Sequence, residues 1–203
     1  MAEQIPNNFQ ISGEAAVASY DFFDIAEGTG IKVFYGMDNE TSAGATQDSL
    51  GNAIIAVDGE TTTTGSTYNF DLAPFNLPKI ITGTAYFQCA LKGGTNGGDD
   101  IYVTAQLQKW DGTTATNITS AVQSATIIGQ AIGWVTFPLT CTKTHFKKGE
   151  ILRLVVVSTM GAGTGWFSHS PTNRDTTQFA IGTGGGEVPS SQMLVLVPFD
   201  LDL

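Results

Sequence analysis

The chain has 203 residues, of which 41% are hydrophobic and only 14% are charged, and its formal net charge at pH 7 is −10. This length suits one all-β domain that buries its own core. The negative charge disfavours direct binding to nucleic acids and to anionic membranes, because their phosphate groups would repel the chain. The low content of charged residues also suits a surface that neighbouring subunits partly cover.

The first 48 residues differ in composition from the rest of the chain. They contain two clusters of aromatic residues, separated and followed by sequence rich in Gly, Ser, Thr and Asn. We expect these aromatic side chains to dock on a partner, since a short solvated tail cannot bury them. The sequence therefore predicts an N-terminal arm, an extended segment over residues 1–48; the alternative is that this segment packs on its own domain as extra strands. The predicted partner-binding residues are Tyr20, Phe22, Phe23, Phe34 and Tyr35.

Residues 49–203 consist of short β-rich segments separated by clusters of Gly, Asn, Asp and Thr. Regular spacing of such segments, with turn signals between them, predicts an all-β, jelly-roll-like antiparallel β-sandwich of two sheets with little helix. The clearest predicted strands span residues 67–72, 79–92, 101–110, 131–142, 150–159 and 193–197. Weaker segments occur at 31–35, 52–57, 166–169 and 178–181, and the segment 118–128 is ambiguous.

Alternation of apolar and polar residues along these segments predicts the core. Ala85, Phe87, Cys89 and Leu91 fall on one face of their segment, as expected for a strand with one buried side. At the end of the segment 101–110, an Asp-Gly pair predicts a tight hairpin. The predicted core contains Phe70, Phe87, Leu107, Phe137, Leu154 and Val156.

The two cysteines, Cys89 and Cys141, each lie inside a predicted strand. Two cysteines without a secretion signal do not predict a disulfide framework, so we expect both to be small buried apolar residues. The N-terminus lacks a basic segment followed by an apolar one, and no stretch approaches the roughly 20 apolar residues of a membrane helix. We therefore expect the chain to be made and to fold in a cytoplasm.

Patterns that would indicate catalysis or metal binding are weak. The two histidines, His145 and His169, lack zinc-ligand spacing with either cysteine. Ser168 and His169 are adjacent and would point to opposite faces of a strand, which disfavours a pair of nucleophile and base. Asp99 and Asp100 lie in a glycine-rich segment that favours a solvated turn over a weak calcium site. We expect no catalytic site, no metal and no cofactor.

The three tryptophans allow a second interpretation. Exposed aromatic rings stack on the apolar faces of sugars, so Trp110, Trp134 and Trp166 are candidates for a glycan-binding groove. Trp134 is out of phase with Val135 and Phe137, which places it on the other side of its strand. The alternative is that these large residues fill the sandwich core.

Three segments resemble stretches of tailed-bacteriophage structural proteins with jelly-roll folds. The first covers residues 105–114 and 117–119, the second covers 146–154, and the third covers 28–36. They are similar to parts of capsid auxiliary proteins, also called decoration or cement proteins, and of some tail components. The resemblance implies a virion protein that binds the outside of a capsid lattice as a symmetric oligomer.

From these observations we expect a non-enzymatic capsid auxiliary protein that is located in the virion after synthesis in the host cytoplasm. Its expected partners are further copies of itself and a major capsid protein or another virion protein. The resemblance slightly favours a trimer, because capsid lattices offer local three-fold positions. The alternative function is a phage tail or fibre component that binds a host surface glycan.

Overall fold

The structure is a computed structural model that describes residues 10–11, 14–15, 30–37, 48–52, 61–62, 67–94, 99–129, 131–169 and 193–201. These residues form fifteen β-strands. No helix in this part of the chain has the length and hydropathy needed to cross a membrane. The strands are β1 (Gln10–Ile11), β2 (Glu14–Ala15), β3 (Gly30–Met37), β4 (Ser49–Gly51), β5 (Thr61–Thr62), β6 (Thr67–Leu72), β7 (Lys79–Gly93), β8 (Asp100–Trp110), β9 (Ala115–Asn117), β10 (Val122–Gln123), β11 (Ile127–Ile128), β12 (Ile132–Phe146), β13 (Ile151–Ala162), β14 (Gly165–Ser168) and β15 (Leu194–Leu201).

Strands β3 to β15 belong to one continuous sheet that curls into two layers. The first layer has the order β12–β7–β15–β3, with β14 taking the place of β15 beside one end of β7. The second layer has the order β8–β13–β6, and β9, β10 and β11 pair with the other edge of β8. Strand β4 joins the layers, because it pairs antiparallel with β3 and parallel with β6.

This topology confirms the predicted all-β, jelly-roll-like fold and changes one detail. The sequence predicted two separate antiparallel sheets, whereas β4 links the two layers into one sheet and adds a parallel pairing. The ambiguous segment 118–128 contributes two short strands, β10 and β11, on the edge of β8. The predicted strand at 178–181 lies outside the described residues, and so does most of the one predicted at 52–57.

The core lies between the two layers and consists of rows of paired side chains. In an antiparallel sheet, directly opposite residues point to the same face, so each row crosses several strands at one height. The inner row of the first layer, from β12 to β3, is Phe137, Phe87, Val195 and Phe34. The corresponding row of the second layer, from β8 to β6, is Leu107, Leu154 and Phe70. One hydrophobic cluster contains both rows, and all six predicted core residues are buried in it.

Residues 30–37 lie in the sheet rather than in an arm. Strand β3 pairs with β15 from Gly30 to Tyr35, and Phe34 is only 5% exposed because its ring faces the core. This part of the predicted arm therefore forms an extra strand of the domain, which is the alternative that the sequence left open. The physical reason for this arrangement is the apolar strand β15, because it has an edge with which β3 can pair and buried side chains next to that edge. Tyr20, Phe22 and Phe23 lie outside the described residues.

The hairpin after β8 forms at the predicted Asp-Gly pair. Gly112 has a φ of 96°, a region that residues with a Cβ rarely adopt. The Asp111 carboxylate accepts hydrogen bonds from the backbone N–H groups of Thr113 and Thr114, at 2.8 and 2.7 Å. Both hydrogen bonds lower the pKa of Asp111 because they favour its charged form. The bond from Thr114 has the larger effect.

Both cysteines are free and buried, as expected. Burial raises the pKa of the Cys89 thiol far above its ordinary range, and burial also raises the pKa of Cys141. We predict that neither thiol reacts with Ellman's reagent at pH 8 in the folded protein, because the thiolate is the reactive form. Both should react when denaturant is added. Rapid reaction without denaturant would contradict the burial of these strands.

Leu154 stands in the centre of the inner row of the second layer, between Leu107 and Phe70, and is fully buried. We predict that Leu154→Ala lowers the free energy of unfolding by about 2–5 kcal/mol, since it removes buried methyl groups and leaves a cavity. The neighbouring Val155 points outward, so Val155→Ala should cost less than about 1 kcal/mol. Urea unfolding followed by tryptophan fluorescence measures both. A loss below about 0.5 kcal/mol for Leu154→Ala would show that the strand phase is wrong.

Candidate functional site

The outer surface of the first layer carries an apolar row that crosses four strands. The row lies next to the inner one and consists of Pro138 on β12, Tyr86 on β7, Leu196 on β15 and Val33 on β3. Ile31 extends it along β3, and Trp134 extends it along β12. We call the outer surface formed by these six residues the apolar face.

The apolar face contains most of the large apolar side chains that the described residues expose. Five such side chains are exposed, and four of them, Ile31 (66%), Val33 (36%), Tyr86 (43%) and Trp134 (46%), lie on this face. The fifth, Ile128 on β11, is 64% exposed and lies beside the second layer. Single exposed apolar residues are ordinary in soluble proteins, whereas a concentration on one sheet face is typical of an interaction surface.

The apolar face is almost free of charge. Its outward-facing neighbours on β7 and β12 are Thr84, Gln88, Ala90, Lys92, Ile132, Thr136 and Thr140, and on β3 and β15 they are Tyr35, Leu194, Pro198 and Asp200. Among these described residues and the six of the apolar face, the only carboxylate is that of Asp200, whereas the chain has 19 acidic residues. The described part of this surface therefore carries little negative charge.

The outer surface of the second layer combines apolar side chains, such as Val155 and Ile128, with a larger number of polar groups than the first. Arg153 on β13 donates two hydrogen bonds to the carboxylate of Asp71 on β6, at 2.6 and 2.7 Å. The guanidinium lies 4.3 Å from the centre of the Trp110 ring, a cation–π contact. The Asp71 side chain holds the pKa of Arg153 above its usual range, since it accepts hydrogen bonds from the charged form.

Two amide side chains of β8 continue this polar surface. Gln108 donates to the side-chain oxygen of Asn117 at 2.9 Å, and Gln106 donates to the backbone oxygen of Thr119 at 2.9 Å. The polar groups of the second layer are thus largely paired with one another, and the layer presents hydrogen-bonding groups to solvent.

Two of the predicted partner-binding residues are described, and they point in opposite directions. Phe34 belongs to the core, where its ring contacts that of Phe199 edge to face with centroids 5.9 Å apart, so its prediction as an exposed docking group is corrected. Tyr35 points outward beside the apolar face and is half-buried. The other three, Tyr20, Phe22 and Phe23, lie outside the described residues.

The three tryptophans do not line one groove. Trp110 lies on the second layer against Arg153, whereas Trp134 and Trp166 lie on the outer side of the first layer. Trp166 is half-buried against Ala90, with the ammonium of Lys92 5.6 Å from the centre of its ring. The fold therefore does not bring the three tryptophan rings together in one glycan-binding groove.

The residues considered for catalysis or metal binding are also dispersed. His169 is 1% exposed and packs against Phe70 and Phe167, on the opposite side of the strand from Ser168. His145 is exposed near the end of β12. Among the described residues, no three His, Cys, Asp or Glu side chains come together as metal ligands would.

The Asp99–Asp100 pair is not the solvated turn that the sequence suggested. Asp99 is 3% exposed, and a Cβ atom added at Gly94 or Gly163 would overlap its carboxylate. Its backbone oxygen accepts a hydrogen bond from Gly129 at 2.6 Å. This close packing on Asp99 explains the glycines at positions 94 and 163.

Comparison with known proteins supports the fold. No protein-family model matches the sequence, and no match to a curated protein sequence was found. A CocE/NonD family hydrolase from Staphylococcus aureus matches 85% of this chain with a TM-score of 0.55 and 13% identity. An aminopeptidase from a marine sediment Thaumarchaeota archaeon matches 85% at 0.55 and 8% identity, and an α-amino acid ester hydrolase matches 83% at 0.52 and 12% identity.

This chain spans only 36–37% of the length of those three proteins. At such low identity, the likeness shows a shared fold and does not extend to their reactions. The sequence reasoning found Trp134 on the outer side of its strand but missed Ile31, Val33, Tyr86, Pro138 and Leu196. The sequence of β7 does contain a signal for this face. Tyr86 stands between the core residues Ala85 and Phe87, at a position where a strand with one solvated side normally has a polar residue.

Proposed function

We propose that this chain is a non-catalytic assembly protein whose apolar face packs against the same face of a second copy. We further propose that the assembled protein is a structural component of a virus particle, of the capsid auxiliary type. The observation that carries the proposal is the concentration of exposed apolar side chains on one sheet face, where few of the described residues are charged.

The size of the apolar face suits an interface between subunits. Four strands spaced by about 4.8 Å, with nine residues of β7 rising about 3.4 Å each, cover a flat area of roughly 500 Å². Side-chain relief increases this area, which is of the same order as the roughly 800 Å² that each partner buries in a standard interface. Burial of apolar surface contributes about 25 cal/mol per Å², so such a contact can hold two copies together.

The charge distribution favours a second copy of the chain as the partner that covers the apolar face. Two chains with a net charge of −10 repel each other least when they meet through surfaces with few carboxylates. The described part of the apolar face is such a surface, and two sheet faces pack about 10 Å apart with interdigitated side chains. An isologous contact of this kind closes as a dimer, rather than as the trimer that the phage resemblance favours.

The virion part of the proposal is supported by the sequence segments that resemble phage capsid auxiliary proteins. One of them, residues 28–36, contains Ile31 and Val33 of the apolar face. The other two lie next to each other in the second layer, where Trp110 pairs with Ile151. The polar outer surface of that layer stays free in a face-to-face dimer and is available to contact a capsid protein. No catalytic step is part of this function.

Substitution of one residue on the apolar face tests the contact, and the chain offers a matched control. Ile31 and Ile128 are equally exposed, at 66% and 64%, but only Ile31 lies on the apolar face. We predict that the unchanged protein is a dimer, that Ile31→Lys weakens the dimer at least about tenfold by burying a charge, and that Ile128→Lys has no effect. Size-exclusion chromatography with light scattering measures the mass. A monomeric unchanged protein, or equal effects of both variants, would refute the proposal.

A charge-exchange experiment distinguishes a second copy from a different protein partner. Tyr86→Lys and Tyr86→Glu should each dissociate the dimer, because an isologous contact brings like charges together. An equimolar mixture of the two variants should form heterodimers, as opposite charges then meet. If the mixture stays monomeric while each variant is folded, the apolar face does not pair with itself.

Co-sedimentation with purified capsids tests the virion proposal separately. We predict that the unchanged protein sediments with capsids of its own virus and saturates at a fixed ratio to the major capsid protein. Absence of co-sedimentation by a protein that still dimerises would reject the virion role and leave the assembly contact intact.

A further inference from the structure

Strand β12 forms an edge of the first layer. It pairs with β7 from Ile132 to Phe146, and no other described strand pairs with it. A long edge strand presents backbone N–H and C=O groups to which a strand of another chain can add. The corresponding edge of the second layer is covered, because the short strands β9, β10 and β11 pair with β8. The described strands give β12 no such cover.

A backbone hydrogen bond shows which residues of β12 face away from β7. Thr142 donates its N–H to Ile118, which follows β9, at 2.8 Å, so this N–H points to the outer edge of β12. Residues 132–141 pair with β7 without interruption, and the backbone groups of a strand alternate between its two edges. The backbone groups of Thr136, Pro138 and Thr140 therefore face the same outer edge.

Pro138 stands in the middle of this outward-facing series. Because its nitrogen faces away from β7, the missing N–H breaks no hydrogen bond between β12 and β7. On the outer edge, the proline removes a donor that an added strand would need, and its ring fills the space of the absent hydrogen. Pro138 therefore obstructs the addition of a strand at this point.

The rest of the outer edge has no comparable protection in its sequence. Thr136, Thr140 and Thr142 are β-branched residues, which are favoured in strands. Charged side chains are another means by which proteins keep edge strands apart, but residues 132–142 include no charged residue. Pro138 is thus the one residue of this series that opposes strand addition through its own chemistry.

We propose that Pro138 prevents β12 of one copy from pairing with β12 of a second copy. Two β12 strands related by a two-fold axis would run antiparallel, and their pairing over residues 136–140 would leave the Pro138 position of each copy without a donor. Edge pairing is a different contact from the face-to-face dimer proposed above. Where that dimer forms, Pro138 limits the assembly to two copies, and this last point alone rests on the proposed function.

Substitution of Pro138 by valine tests this inference. Pro138→Val keeps an apolar side chain on the apolar face, restores the N–H and introduces a residue that is favoured in strands. We expect the mass of the variant to rise at least about twofold above that of the unchanged protein, because each copy gains a second two-fold contact. Sedimentation velocity at increasing protein concentration measures the mass, and circular dichroism confirms that the variant is folded.

Thr136→Val is the matched control. It adds an apolar, β-branched side chain two residues away on the same surface but leaves every backbone donor in place, so its mass should equal that of the unchanged protein. Hydrogen exchange of the unchanged protein gives a second measurement that needs no substitution. The Thr136 amide should exchange at least about tenfold faster than those of Val135 and Phe137, which face β7.

The outcomes separate this inference from the proposed dimer. No increase in mass for Pro138→Val, or an equal increase for Thr136→Val, would overturn the inference. Exchange of the Thr136 amide as slow as that of its neighbours would also overturn it, because the outer edge would then already be covered. A monomeric unchanged protein would refute the proposed dimer only, since Pro138→Val should then still form a dimer through β12.

Discussion

The pairing of β7 on both of its edges is the constraint on which the rest of the structure depends. β12 pairs with one edge of β7, and β15 and β14 pair with the other. Because side chains alternate, the register that points Phe87 into the core also points Tyr86 outward, and a shift by one residue would exchange them. The buried row around Phe87 is a strong determinant of register. It therefore also aligns Pro138, Leu196 and Val33 with Tyr86, and the apolar face is a consequence of core packing.

The two outer surfaces of the fold differ in how they are stabilised. On the second layer, Arg153, Asp71 and Trp110 form a paired polar cluster, so this surface is stable in water without a partner. On the first layer, Tyr86, Trp134 and their apolar neighbours gain stability only when another surface covers them. In the proposed dimer, the low charge of the described part of the first layer favours association through that layer.

Much of the fold could be predicted from alternation, but of the candidate site only Trp134 was found in this way. Strand β6 occupies the predicted residues 67–72, and the six predicted core residues are buried, because a strand with one wet face imposes a period of two on its sequence. Long-range pairing leaves no such local signal. Nothing in residues 30–37 reveals that β3 pairs with β15, more than 150 residues later in the chain, so Phe34 was assigned to an arm. The apolar face likewise combines single residues from four strands, and each residue alone is unremarkable.

The central claim is that two copies meet through the outer surface of the first layer, and an intermolecular distance tests it most directly. A nitroxide label at Thr140→Cys stands on this surface at the margin of the apolar face, whereas a label at Thr116→Cys stands on β9 beside the second layer. Double electron–electron resonance on singly labelled protein then reports only distances between copies. Packed sheet faces lie about 10 Å apart, and two labels at the margin are also separated along the sheet, so we expect a defined distance for Thr140→Cys that is shorter than the one for Thr116→Cys. A short distance at Thr116→Cys, or no dipolar signal at either position, would contradict it.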